Sequence, residues 1–218
     1  MYQTVLFDLD GTLTDPGAGI TNSVAYALEK YGIHNTDRSQ LYKFIGPPLR
    51  DSFGQFYGFS KEQAEEATAY YREYYKDKGI YENRLYQGIP EVLQMLADAG
   101  ATLLVATSKP EQFACRILDY FSIRKYFTYV AGATMDGSRS KKSEIIEDAL
   151  RAGNISDLSS AIMVGDREYD IFGAKHAGIA SIGVLFGYGS KEELVAAGAD
   201  YLAMQPAEIH TFVTGQKS

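Results

Sequence analysis

Apolar positions along this chain follow two rhythms, and the change between them falls between residues 80 and 88. The chain opens with Val5-Leu6-Phe7, a continuous β-favouring run of the kind needed by a strand covered on both faces. It stops abruptly at Asp8-Leu9-Asp10-Gly11-Thr12-Leu13, where two carboxylates, a glycine and a hydroxyl form a polar turn. Helical spacing then takes over. Asp15-Pro16 reads as an N-cap followed by a proline at the first helical position, and Ile20, Val24, Ala27, Leu28 and Tyr31 recur on one face up to Gly32. A second helical stretch is expected over 37–44 and is interrupted by Gly46-Pro47-Pro48. A third runs over 49–57 to Gly58. Ser60 and Gln63 match a capping box, which opens a helix to Lys78 carrying Ala64, Ala67, Tyr70, Tyr71, Tyr74 and Tyr75. No strand is predicted between 16 and 80.

From Gly88 onward strands and helices alternate. Helices are predicted over 90–100, 110–121, 143–152, 169–177 and 192–197, and strands over 102–107, 126–131, 161–164 and 180–185, with Tyr201-Leu202 as an edge strand before Pro206. This alternation predicts an α/β fold with a doubly wound, Rossmann-like parallel sheet. A helical block after strand one and before strand two is best explained as an insertion. The expected organisation is therefore an α/β core from 1–15 and 83–218, with an inserted all-α domain over 16–82. Gly215 to Ser218 are expected to fray.

Composition narrows the class. The 218 residues are 45% hydrophobic, enough for a sizeable core. Lys and Arg total 21 against 28 Asp and Glu, a net charge of −7, which argues against a nucleic-acid polymer as partner and suits a divalent cation. Cys115 is the single cysteine, so no internal disulfide forms. With no secretory pattern and no run of membrane-spanning length, no membrane is expected and a cytoplasmic location is the default. Tyrosine is abundant, at 17 residues against no tryptophan, and many of these tyrosines precede residue 90.

Chemistry enters through the strand ends. Thr107-Ser108-Lys109 and Gly165-Asp166-Arg167-Glu168-Tyr169-Asp170 follow apolar strands just as Asp8 and Asp10 do, and in a parallel sheet such ends converge on one edge, where ligands bind. Asp170 lies one helical turn beyond Asp166 and points back to the same place if a helix begins there. Alternatively, Asp166 and Asp170 do no more than start that helix. Like charges about 4 Å apart cost roughly 4 kcal/mol at an effective dielectric of 20, so gathered carboxylates need a cation or protons. Magnesium, bound through carboxylates and a substrate phosphate, fits Asp8 and Asp166, whereas zinc is disfavoured because no His or Cys accompanies them.

In that setting Asp8 can attack phosphorus, and Asp10 can protonate the leaving oxygen and then activate water. The Thr107 hydroxyl, with Ser108 beside it, the backbone N–H groups of the Asp10–Thr12 turn and one lysine supply donors to the anion. Lys142 is the expected lysine and Lys141 its rival. Lys109 is set aside because Pro110, beginning a helix, is expected to carry it outward.

Together these residues resemble the haloacid dehalogenase-like hydrolase superfamily, specifically its phosphatases with a small helical cap inserted after the first strand. Asp8-Leu9-Asp10-Gly11-Thr12-Leu13, Thr107, a lysine at 141 or 142, and Gly165-Asp166 to Asp170 match the family's four motifs in order. The resemblance implies Asp8 as nucleophile, Asp10 as acid/base with its backbone carbonyl on magnesium, Asp166 as a metal ligand and Asp170 as a supporting carboxylate. An acid at position 10 favours phosphoryl transfer over dehalogenation, which has no alkoxide to protonate.

Gly88-Ile89-Pro90-Glu91-Val92-Leu93 and the tail from Gly183 to Asp200 are similar to phosphoglycolate phosphatases. The stretch Met135 to Glu144 lacks a proline after the lysine and is more similar to a bacterial 5′-nucleotidase subgroup. The expected substrate is thus a small phosphorylated metabolite, phosphoglycolate or a nucleoside 5′-monophosphate. Gly46-Pro47-Pro48-Leu49-Arg50 matches the family's cap loop, which implies that Arg50 grips a distal anionic group. Alternatives are a sugar-phosphate mutase and a non-catalytic metal-binding interaction protein, and both monomer and homodimer remain open.

Overall fold

The structure is a computed structural model, and it describes residues 1–34 and 37–215. The expected fraying of Gly215 to Ser218 falls, beyond Gly215, outside the described residues. The chain divides into two compact units, Pro16–Arg84 and the remainder, Met1–Asp15 with the chain from Leu85 onward.

The larger unit is built on strand β1 (Thr4–Phe7), whose four residues are all buried. The two-residue strands β2 (Thr14–Asp15) and β3 (Arg84–Leu85) lie where the chain leaves and re-enters this unit. In the smaller unit, α1 (Gly17–Glu29), α2 (Leu49–Tyr57) and α3 (Lys61–Tyr75) follow one another. Thereafter come α4 (Ile89–Asp98), β4 (Thr102–Pro110), α5 (Glu111–Tyr120), β5 (Phe127–Ala133), α6 (Lys142–Ala152), β6 (Ala161–Gly165), α7 (Glu168–Ala177), β7 (Ala180–Val184), α8 (Lys191–Ala197), β8 (Tyr201–Ala203) and α9 (Pro206–Thr214).

The six-stranded sheet has the order β5-β4-β1-β6-β7-β8 with parallel pairing. This is the doubly wound α/β fold expected from the alternation. β1 is central, with Phe7 in register with Val105 on one side and Val164 on the other, so at their carboxyl edge β1 and β6 end within a residue of each other while β4 runs on past them. Strand order departs in opposite directions from β1, which opens a crevice at that edge. Leu6, Leu104 and Met163 pack under Ile145, Ile146 and Ala149 of α6 and Ala174 of α7, fixing those helices on the sheet.

Several local expectations need correction. β4 runs on to Pro110 through a register shift between Thr107 and Pro110, so Pro110 caps α5 rather than starting it. Asp15 does not cap α1: the cap position is Pro16, with no side-chain bond, and Asp15 belongs to β2. Residues 38–44 form a 3-10 stretch, with Asp37 accepting from the Ser39 N–H. Helix α9 has no counterpart in the sequence reading, although Pro206, Ile209 and Val213 at helical spacing and Gly215 beyond them carry its signals.

Within the smaller unit Ser60 and Gln63 form the capping box in full. Its tyrosines use their rings to pack and their hydroxyls to hold surface glutamates: Tyr31 donates to Glu66 at 2.7 Å, Tyr26 to Glu73 at 3.1 Å and Tyr74 to Glu82 at 3.0 Å. A second cluster joins Phe44, Phe53 and Phe59 at centroid separations of 5.0 and 5.8 Å.

Candidate active site

Asp8 follows the last residue of β1, and its backbone N–H still donates to Val164 O at 2.9 Å, so the sheet itself fixes its position. Asp10 comes two residues later, in the turn. Gly11 has φ +84, and a Cβ there would lie 2.1 Å from Asp166 Oδ2, so only glycine lets this turn pass over Asp166. Asp166 follows β6 directly. Asp170 sits in the first turn of α7, where its Oδ2 accepts from the Arg167 N–H at 3.1 Å. It therefore does what a helix-starting residue does and also joins the cluster. One oxygen each from Asp8, Asp166 and Asp170 lies within 4.8 Å of the others.

Two lysines enter this acidic edge. Lys142, at the start of α6, places Nζ 3.0 Å from Asp8 Oδ1 and 2.7 Å from Asp170 Oδ1 in two ion pairs, and donates to Ala106 O at 3.1 Å. Lys141 instead has 79% of its side chain exposed, with Glu144 at 3.9 Å, so of the two rivals Lys142 is the one brought to Asp8. The second lysine is Lys109. Contrary to expectation it is buried, and its Nζ is 2.5 Å from Asp10 Oδ2. The register shift after Thr107 turns it inward.

Thr107 is buried on β4 two residues beyond the end of its ladder with β1, and pairs with Gly132 of β5. Its Oγ1 accepts from the Lys109 N–H at 3.3 Å, which leaves the hydroxyl proton to donate elsewhere. Ser108 is half-buried beside it. Arg50 lies in the first turn of α2, where Nη2 donates to Glu65 Oε1 at 2.6 Å and Nε stands 2.6 Å from Oε2, an ion pair within the helical unit.

Burial dominates the electrostatics. It raises the Asp10 carboxyl above its ordinary range, against the opposing pull of Lys109. It raises Asp166 well above that range, with help from Asp170 and Asp8. Asp170 is pushed up to about 6 by burial, Lys142 opposing. Burial would lower the Lys142 ammonium, but Asp170 and Asp8 outweigh it and raise its pKa. Four buried carboxylates facing two buried ammonium groups leave two formal negative charges. Asp10 Oδ1 and Asp166 Oδ1 are also buried without a hydrogen-bond partner. A divalent, oxygen-seeking cation fits both observations, since it would neutralise the excess and engage acceptors that no protein donor reaches.

The loop after β7 joins this site beyond the residues expected from the sequence. Its Tyr188 N–H donates to Asp166 Oδ2 at 2.8 Å, and its hydroxyl donates to Asp15 Oδ1. A Cβ on Gly187 would lie 2.4 Å from that of Asp166. The available signal was Gly-Tyr-Gly at the end of another strand on the same sheet edge.

A family model of haloacid dehalogenase-like hydrolases matches residues 5–184. The chain belongs to this family. Among curated proteins, the hydrolase is 47% identical over 195 residues to a 5′-nucleotidase of Pseudomonas aeruginosa, covering 89% of this chain and 88% of that one. It is 41% identical over 188 residues to the tyrosine-protein kinase PtkA of Mycobacterium tuberculosis, covering 86% of this chain but 63% of that longer protein. Identity to a phosphoglycolate phosphatase of Vibrio parahaemolyticus is 30% over 213 residues, covering 94% of this chain and 93% of that one. Among solved structures, a predicted phosphatase from Clostridium acetobutylicum superposes on this hydrolase with a TM-score of 0.96 at 47% identity, covering 99% of this chain and 100% of that one.

Among the described residues no helix of this hydrolase is long and apolar enough to cross a membrane.

Proposed function

We propose that this hydrolase is a magnesium-dependent phosphomonoesterase that works through an aspartyl phosphate on Asp8. The observation that carries the reading is the meeting of Asp8 with Asp166, Asp170 and Lys142 at the carboxyl edge of the sheet. An Asp8 oxygen forms a bond to phosphorus as the ester P–O bond breaks, and the departing oxygen takes a proton from the Asp10 carboxyl. Burial, which keeps Asp10 above the ordinary carboxylate range, favours its holding that proton. A water molecule then attacks the aspartyl phosphate and gives a proton to Asp10. The bond between phosphorus and Asp8 breaks, releasing phosphate and restoring both carboxyl groups.

Lys142 offsets the negative charge that collects around Asp8, and Thr107 and Ser108 donate to the phosphoryl oxygens. Asp8 and Asp166, with the backbone carbonyl of Asp10, would hold Mg2+, and Asp170 supports them by holding Lys142. The ion supplies charge neutralisation at the transferring phosphoryl group when bound.

A nucleoside 5′-monophosphate is the favoured substrate class, supported by the name of the Pseudomonas relative and by the Met135–Glu144 stretch. Arg50 is proposed to contact the non-reacting part of that substrate, in competition with Glu65.

Hydrolysis of an aryl phosphate and of nucleoside 5′-monophosphates, with Mg2+ and with EDTA, tests the proposal. Turnover is expected only with the metal, and Asp8→Asn is expected to lower it by roughly 10⁴-fold or more. Turnover undiminished in Asp8→Asn would refute the nucleophile.

A further inference from the structure

Lys109 is a buried cation that the mechanism above does not use. Its side chain is 5% exposed, against 11% for that of Asp10, and Nζ meets only one of the two Asp10 oxygens, Oδ2. The other, Oδ1, is buried and has no hydrogen-bond partner. Several features combine to bring the lysine there. β4 shifts register between Thr107 and Pro110, and Thr107 Oγ1 closes the irregularity by accepting the Lys109 N–H. The neighbouring strand makes room with Gly132, where a Cβ would lie 2.8 Å from Lys109 O and 2.5 Å from the Glu111 Cα.

We propose that Lys109 is a positioning residue for the acid/base carboxylate: by holding Asp10 Oδ2 it leaves Oδ1 to face the reacting ester. The inference rests on the phosphomonoesterase reading and deepens it. A carboxyl group on a short side chain turns readily about its last torsion, and a terminal torsion of this kind is broad and nearly two-fold. One fixed ion pair removes that freedom, so that a single oxygen meets the leaving group. Lys142 is placed elsewhere, with Nζ paired to Asp8 and Asp170 at 3.0 and 2.7 Å and donating to Ala106 O. The two lysines thus divide the work, one beside the nucleophile and one behind the acid. The proton still passes from Asp10 to the ester oxygen, and Lys109 neither gains nor loses one.

This role predicts dependence on the leaving group. An alkoxide is strongly basic and must be protonated as it departs, whereas a nitrophenolate departs as an anion. Loss of Lys109 should therefore slow alkyl phosphates more than p-nitrophenyl phosphate, and kcat/KM reports that step because it covers everything up to the first bond cleavage.

The experiment compares wild type, Lys109→Met, Lys109→Gln, Asp10→Asn and the Asp10→Asn/Lys109→Met double variant on p-nitrophenyl phosphate and a simple primary alkyl phosphate, with Mg2+, after thermal melts establish that each is folded. Lys109→Met is expected to lose at least about tenfold more kcat/KM on the alkyl ester than on the aryl ester. Lys109→Gln, which keeps an N–H donor, should fall between it and wild type, and it replaces Lys109→Met in the comparison if the latter does not fold. In the Asp10→Asn background Lys109→Met should add less than about a twofold change. Equal losses on both esters, or a full additional loss in the double variant, would overturn the role of Lys109 alone. A wild-type protein inactive on both esters would overturn the phosphomonoesterase reading with it.

Discussion

The two units bury polar groups in opposite ways. In the helical unit, the buried polar side chains include the hydroxyls of Thr21, Ser23, Ser52 and Thr68, each returning a hydrogen bond to the carbonyl four residues earlier, at 2.6–3.0 Å. Such hydroxyls are satisfied by their own helix and ask nothing of a ligand. In the α/β unit, the buried polar groups include Asp8, Asp10, Lys109, Lys142, Asp166 and Asp170, all at one sheet edge. Burying an ion costs several kcal/mol even after relaxation, and here anions outnumber cations. The difference locates the chemistry: one unit carries an electrostatic demand that a cation and protons can meet, and the other, among its described residues, gathers no such acidic cluster.

The largest test of that contrast is metal-linked stability. Burial raises Asp166 and Asp170 above the carboxylate value of 3.8, Asp170 to about 6. A group with a raised folded pKa binds its proton more tightly in the folded state. Its stabilising contribution is therefore complete at low pH and disappears as pH rises from about 4 through about 6. In EDTA these groups should make the melting temperature fall as pH rises from about 4 through about 6, opposite to the trend of ion-paired carboxylates with depressed pKa. At pH 7, Mg2+ at 100 times its Kd should restore about 2.7 kcal/mol. Calorimetric melts with and without the ion check this. A profile unchanged by Mg2+ would show that the cluster is no cation site.

The next test asks whether the helical unit governs selectivity. Arg50→Ala removes a guanidinium now bound to Glu65 and far in sequence from the carboxylate motifs. Charge-assisted hydrogen bonds are worth about 1.5–3 kcal/mol, so kcat/KM for nucleoside 5′-monophosphates should fall roughly 10- to 100-fold, with a much smaller change for p-nitrophenyl phosphate. Parallel losses on both would refute a selective role, and no loss on any substrate would leave Arg50 with no role in substrate binding.

How much of this was legible beforehand follows from how local each signal is. The apolar run at Val5–Phe7 and the turn after it lie within nine residues, and parallel pairing carries that reading to Thr107 and Asp166 without any knowledge of side-chain contacts. The choice between Lys141 and Lys142 was less accessible, because it depends on which of two adjacent residues α6 turns towards Asp8. Lys109 is harder to place from sequence because proline normally ends a strand or opens a helix. Here a bulge keeps β4 going and inverts the side chain's direction, and the space for it is provided by Gly132 on another strand. Asp-Pro so often marks a cap that Asp15 reads as one from sequence, whereas it accepts the Tyr188 hydroxyl from 173 residues away. Non-local contacts of that kind leave no periodicity to read.

That last contact supplies the smallest effect and the sharpest comparison between the units. Tyr188 works at both ends: its N–H donates to Asp166 Oδ2 at 2.8 Å, and its hydroxyl donates to Asp15. In the helical unit Tyr74 also donates to a carboxylate, Glu82, at 3.0 Å, but nothing ties it to a buried acidic cluster. Removing either hydroxyl should cost about 1 kcal/mol, or roughly 2–4 °C in melting temperature for a chain of this size. The consequences beyond stability should diverge. Tyr188→Phe loosens the loop that aims an N–H at Asp166, so Mg2+ binding by calorimetry should weaken about threefold to tenfold. Tyr74→Phe should leave Mg2+ binding where it was. If the two variants weaken the metal alike, or neither does, then Tyr188 is a surface tether like its counterpart, and its bond to Asp166 does not shape the site.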